Sequence, residues 1–233
     1  MGERIDYQLA DGVATVTMDD GKVNALSPAM LDELFEVLDK AESDEAVVIL
    51  TGRETTFTGG FDLKTFQAGD MDAVRSMLAG GARLTERLLS FPGPVVAACN
   101  GNAIAMGSFM LLGCDVRIGA EGDYKLGLNE TQLGMTIPWY AIEAARHRLA
   151  PSWFDRCTVT GLFIGPEEAR EAGFLDELVP IDQVADKSLE SARYLAGVKR
   201  PALVANKLRV REHVLERVRD GIKRIEDEEF AEW

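Results

Sequence analysis

One carboxylate, Glu130, stands among the apolar neighbours Leu126, Leu128, Leu133 and Ile137. Apolar flanks raise a carboxyl pKa, so a lone acid in such a setting is a candidate proton shuttle that both takes a proton and gives it back. Upstream, Asn100-Gly101 leads through small residues into an apolar run at 105–113 that contains Gly107, and another loop carries Gly59-Gly60. Glycines let backbone approach a ligand closely, and a row of N–H groups running into a helix is a ready site for negative charge. Together these features predict chemistry in which an oxyanion forms while a proton moves. Other chemistries lack their residues. His147 and His213 lie in charged helical contexts, away from any Gly-x-Ser-x-Gly or nucleophilic cysteine, which argues against a Ser-His or Cys-His hydrolase. Metal clusters, Walker loops and GxGxxG fingerprints are missing, so no metal is expected. Cys99, Cys114 and Cys157 sit in apolar contexts at no metal-ligand spacing and read as reduced core residues of a cytoplasmic protein.

The elements that must hold these residues follow from periodicity. Residues 5–9 and 13–18 alternate as two strands about the Asp11-Gly12 turn. Ser27-Pro28 caps a helix to about residue 41, with Leu31, Leu34, Phe35 and Leu38 on one face. The β-branched run 46–51 reads as a buried strand, 52–60 as a loop and 70–90 as a helix stopped by Phe91-Pro92-Gly93-Pro94. Strand 95–99 then leads to helix 105–113 and strand 115–120. Helices at 137–149, 151–160 and 166–172 precede a strand at 178–180, and amphipathic helix fills the rest, with breaks at Gly197 and Pro201. Strand–helix alternation followed by a helical tail gives an α/β class, with a core at 1–180 and a C-terminal helical region at 181–233.

With 233 residues, 46% of them hydrophobic, the chain can bury one sizeable core. No window is long and apolar enough to span a bilayer, and the N-terminal residues lack an apolar signal core. A formal net charge of −14 repels nucleic acid and anionic lipid alike, so neither is an expected partner.

Three ordered motifs resemble those of the crotonase superfamily, the enoyl-CoA hydratase/isomerase family. FTGGFDL at 57–63 is similar to its first signature, and Asn100-Gly101 through Cys114-Asp115 to its second. LGLNETQLG at 126–134 is similar to the segment that carries the family's catalytic acid. The likeness runs from the hairpin through VNAL at 23–26 to AREAGFLDELVP at 169–180. The resemblance implies a spiral of ββα units with a C-terminal helical oligomerisation region, assembled as a homotrimer or dimer of trimers. It also implies a coenzyme A thioester as substrate, with no separate cofactor, and a place in fatty-acid metabolism. By the same resemblance the backbone N–H groups of Phe61 and Met106 form an oxyanion hole, with Glu130 as the catalytic acid. Ala25, Gly59, Gly60, Leu63, Gly107 and Phe109 fall at substrate- or CoA-binding positions, and Trp139 and Tyr140 after Pro138 add bulk that either lines the acyl pocket, with Trp139 as a substrate contact, or packs. Lys22, Arg53, Lys64, Lys207 and Arg211 are candidate contacts for the CoA phosphates. Family hydratases carry a second glutamate where this chain has Phe109, and LGLNETQLG is closest to the single-acid Δ3,Δ2-enoyl-CoA isomerases. Phe109 neither donates nor accepts a hydrogen bond, so a water beside it loses a partner. The expectation is therefore an isomerase that moves a 3-enoyl double bond to the 2-position. A hydratase (a lyase of fatty-acid oxidation) and a non-catalytic CoA-thioester binder stand as alternatives.

Overall fold

The computed structural model describes residues 2–227. A hairpin of β1 (Ile5–Ala10) and β2 (Val13–Met18) leads to α1 (Pro28–Ser43), whose N-cap Ser27 accepts from the Met30 amide. After that the chain repeats one unit: a strand in the main sheet, a short strand in a second sheet, then helix. The first unit is β3 (Val47–Gly52), β4 (Thr56–Thr58) and the helices α2 (Leu63–Gln67) and α3 (Met71–Ser90). The second is β5 (Val95–Cys99), β6 (Asn102–Ile104) and α4 (Met106–Gly113). The third opens with β7 (Val116–Ala120) and β8 (Leu126–Gly127), then continues through a 3-10 turn at Glu130–Leu133 to α5 (Trp139–Arg148), α6 (Pro151–Thr160) and α7 (Pro166–Ala172). β9 (Glu177–Val179), α8 (Val184–Ala196) and α9 (Arg200–Glu226) complete the described fold.

The main sheet runs β1-β2-β3-β5-β7-β9, with only the first pair antiparallel, and the second sheet runs β4-β6-β8 in parallel. Strands buried on both faces read as unbroken apolar runs, as 46–51 did. Alternate residues go to different cores: Val48 and Leu50 face the large cluster under α1, α3 and α4, while Val47 and Ile49 face the smaller one beneath α8.

The tail divides into two helices. The stripe Val214, Val218, Ile222 and Ile225 of α9 is buried in the chain's own core, against α3 and α5. Two basic residues fasten that helix and thereby leave the set of CoA contacts. Lys207 Nζ meets Asp115 Oδ2 at 2.7 Å and donates to the carbonyls of Phe91 and Gly93. Arg211 reaches Asp115 Oδ1 at 2.7 Å and the Leu89 carbonyl at 2.9 Å. With 3% and 6% of their side chains exposed, neither can meet a phosphate in solvent. Arg53 is likewise engaged, pairing with Asp19 and Glu54, whereas Lys22 and Lys64 are exposed. The charge pattern at 228–229 lies outside the described residues.

Candidate active site

A short chain of polar contacts builds the glycine loop. Asn24 is fully buried, and its Nδ2 donates to the carbonyls of Thr56 and Phe57, fixing the VNAL segment to β4. Thr58 Oγ1 donates to the Asn24 carbonyl at 2.6 Å and accepts from the Gly60 amide at 3.1 Å. Leu26 forms a bridge to Phe61 whose hydrogen bonds use the Gly60 carbonyl and the Asp62 amide. Those bonds flank Phe61, so its own N–H is left for something else. Asp62 caps α2 by accepting from the Lys64 amide at 3.2 Å, a structural role.

The second candidate amide, that of Met106, follows a turn at Ala105. Its φ of 49° and ψ of −116° are rare for a residue with a side chain, and holding them costs on the order of 1–3 kcal/mol. The surroundings enforce the turn. The Ala105 amide donates to the Gly127 carbonyl at 2.8 Å, and Ser108 Oγ donates to the Ala103 carbonyl while accepting from the Gly127 amide. Met106 is the first residue of α4, so its N–H has no acceptor within the helix. The two loops touch. A side chain on Gly60, whose φ is +89°, would come within 2.8 Å of the Ile104 carbonyl oxygen and 3.2 Å of Ala105 Cβ. Gly107 lets the first turn of α4 lie against Thr58, where any Cβ would fall 2.6 Å from Thr58 Cγ2. Asn100 turns away from this site to bond the backbone of Gly52 and Glu54.

Beside the meeting point lies a cavity of about 140 Å³ whose walls include Gly59, Phe61, Leu63, Phe66, Leu78, Ala105, Phe109, Asn129, Glu130 and Tyr140. Glu130 is 9% exposed, and its Oε2 has no hydrogen-bond partner among the described residues. Burial pushes its carboxyl up to about 7, slightly opposed by the hydrogen bond from its own amide. Thus Glu130, the Phe61 loop, Phe109, Gly59 and Leu63 share one cavity, as the motifs imply. Gly60, Met106 and Gly107 do not line it themselves but adjoin Gly59, Phe61 and Ala105 in the chain, which do. The Met106 side chain is buried, its Sδ accepting from the Tyr140 hydroxyl at 3.4 Å.

Two expected residues fall elsewhere. Trp139 is 54% exposed and lies under the Arg224 guanidinium at 4.9 Å, because the helix that starts there turns its neighbour Tyr140 inward. Tyr140 is the aromatic residue in the wall, with ring centroids 6.1 Å from Phe109. Ala25 stays on the loop outside the wall, its amide donating to Asp20 Oδ2. Nothing along the chain marks Thr58 or Ser108, since each acts through partners distant in sequence. Among the described residues no group of His, Cys, Asp and Glu could hold a metal, and no helix is long and apolar enough to cross a membrane.

A profile of the family described as enoyl-CoA hydratase/isomerase matches residues 8–229. The human mitochondrial enoyl-CoA delta isomerase 1 is 32% identical over 190 residues, which is 79% of this chain and 63% of that protein. The chain spans between half and two thirds of the length of the first curated relatives that it matches. A crystal structure of an enoyl-CoA hydratase from Mycobacterium marinum matches with a TM-score of 0.92 and 41% identity, covering 98% of this chain and 100% of that one. The apo enoyl-CoA isomerase of Mycobacterium tuberculosis matches with a TM-score of 0.93 at 41% identity, over the same 98% and 100%. Motifs, ββα spiral and profile agree, and the chain belongs to the enoyl-CoA hydratase/isomerase family.

Proposed function

We propose that this protein is an enoyl-CoA isomerase, shifting the double bond of a 3-enoyl thioester to the 2-position with Glu130 as its single proton shuttle. One observation carries the reading: a lone buried carboxylate with an unpartnered oxygen lines an apolar cavity whose wall also holds Phe109 in place of a second acid. The thioester oxygen lies between the Phe61 and Met106 amides. Glu130 removes a C2 proton, and the charge passes through the dienolate to that oxygen. Each such amide supplies about 2.7–4 kcal/mol of barrier lowering. Glu130, now neutral, returns the proton at C4, and the carbonyl re-forms. A carboxyl pushed up to about 7 suits both halves, since it gives and takes a proton with little penalty near neutral pH. Similarity to the human and mycobacterial isomerases supports this reading, and similarity to the Mycobacterium marinum hydratase keeps hydration as the second one.

Purified protein assayed on trans-3-enoyl and trans-2-enoyl thioesters tests the assignment. Turnover of the 3-enoyl substrate, lost by a factor of about 10³ or more in Glu130→Gln, is the expected result, a scale set by removal of an essential base. Reaction of the 2-enoyl substrate alone, to a 3-hydroxy product, overturns it.

A further inference from the structure

Moving the double bond involves only the first carbons of an acyl chain, so the length of chain the site accepts is set by its walls. Those walls run from solvent to core. Leu63 and Leu133 are 56% and 54% exposed and mark a mouth, whereas Leu78, Phe109 and Tyr140 are 2% exposed or less and form a floor. The floor has no room to retreat. The backbone of α9 passes so close behind Tyr140 that a Cβ on Gly221 would fall 2.5 Å from the Tyr140 nitrogen. In front, the Tyr140 hydroxyl donates to Met106 Sδ, and its ring lies 6.1 Å from that of Phe109. The Phe61 ring is seated on α3 in the same way, its Cζ 2.3 Å from where a Cβ on Gly81 would stand. Side chains packed this closely resist an inserted methylene.

Volume fixes the scale. The cavity of about 140 Å³ is close to the ~150 Å³ of an apolar protein cavity that binds benzene, a six-carbon body. The thioester carbonyl and the carbons beside Glu130 take part of that space, so little is left for a long tail. Around the floor the wall is hydrocarbon, which suits a chain without polar substituents. We propose that the site selects short, unsubstituted acyl thioesters of about four to six carbons, with Phe109 and Tyr140 as the floor that stops longer chains. This rests on the reading that the acyl chain lies in the Glu130 cavity. Phe109 then has two consequences: it leaves Glu130 as the single acid, and its ring fills the space a longer chain would need.

Calorimetric titration with saturated butyryl-, hexanoyl-, octanoyl- and decanoyl-CoA reads the cavity without any turnover. Each methylene that finds apolar cover raises affinity about fourfold. The expected series climbs from butyryl to hexanoyl and is flat or falling beyond it. Phe109→Ala lowers the floor and should raise decanoyl affinity relative to hexanoyl by about tenfold or more. Phe109→Leu, which keeps more of the core filled should the alanine variant fail to fold, should shift the ratio the same way by about threefold. Affinity that climbs about fourfold per methylene through decanoyl in the wild type overturns the proposal. So does a decanoyl-to-hexanoyl ratio that stays unmoved in the folded Phe109 variants. Turnover separates the two readings. Binding that levels off at hexanoyl, with no isomerisation of a trans-3-hexenoyl thioester, strikes the proposed function alone. Isomerisation of trans-3-hexenoyl and trans-3-decenoyl thioesters with equal kcat/KM strikes the length limit alone.

Discussion

At the scale of single residues, the position of Glu130 sets both a rate and a stability. As a base it works ionised, so kcat/KM on a 3-enoyl thioester should rise about tenfold per pH unit below 7 and level off above it, with the inflection near the value burial imposes. The same burial acts on folding. The folded carboxyl is raised from 4.5 to about 7, so the folded state holds its proton more tightly than the unfolded one. The resulting stability is fully present below 4.5 and is lost as pH rises through 7, at on the order of 3 kcal/mol in all. Glu130→Gln, which never ionises, should therefore melt above wild type at pH 9 and close to it at pH 5, as calorimetry can read. Equal melting temperatures at pH 9 would contradict the burial argument. Glu130 was legible in the sequence because its apolar flanks surround it along the chain. Tyr140 was legible only as bulk beside Trp139, because which of the two turns into the cavity is decided by how their helix packs against segments far away in the chain.

At the scale of elements, the donors depend on the close passage of two loops. Gly60→Ala adds a methyl at a φ of +89° and drives it to within 2.8 Å of the Ile104 carbonyl oxygen, so the loops must separate. Loss of one donor costs a factor of about 10²–10³ in kcat, and the variant should show this while circular dichroism remains native. Wild-type turnover in Gly60→Ala would dissociate the glycine loop from catalysis. The ion cluster on α9 makes a different prediction. Lys207→Met strips a buried partner from Asp115, so denaturant titration should show a loss of about 3 kcal/mol, with KM for the acyl-CoA unchanged. A raised KM with unaltered stability would return Lys207 to the ligand. Long periodic elements such as α1, α3 and the β3 strand were readable from the chain. The second sheet was not, since three-residue strands such as β4 and β6 carry no period, and 52–60 therefore read as loop. The turn at Ala105 was equally hidden, because alanine gives no signal for positive φ and the conformation is held by Gly127 and Ser108 from outside.

At the scale of the whole molecule, a formal charge of −14 opposes an anionic thioester. Salt screens that repulsion, so raising ionic strength from about 0.01 M to about 0.15 M, which shortens the Debye length from about 30 to about 8 Å, should lower KM for the acyl-CoA. A KM that climbs steadily with salt would show instead that local lysines dominate. The tail illustrates what composition alone leaves open: its apolar stripe suits a partner surface or the chain's own core equally well. The fold chooses the core, where α9 lies along α3 and α5 and Arg219 reaches Glu86 at 2.6 Å.

In the proposed isomerisation one carboxyl carries a proton from C2 to C4. A 3-enoyl thioester deuterated at C2, converted in ordinary water, follows that proton directly. The expected result is 2-enoyl product with deuterium at C4, delivered by Glu130 before solvent exchanges it. Product whose C4 holds only solvent hydrogen, or no product at all, contradicts it.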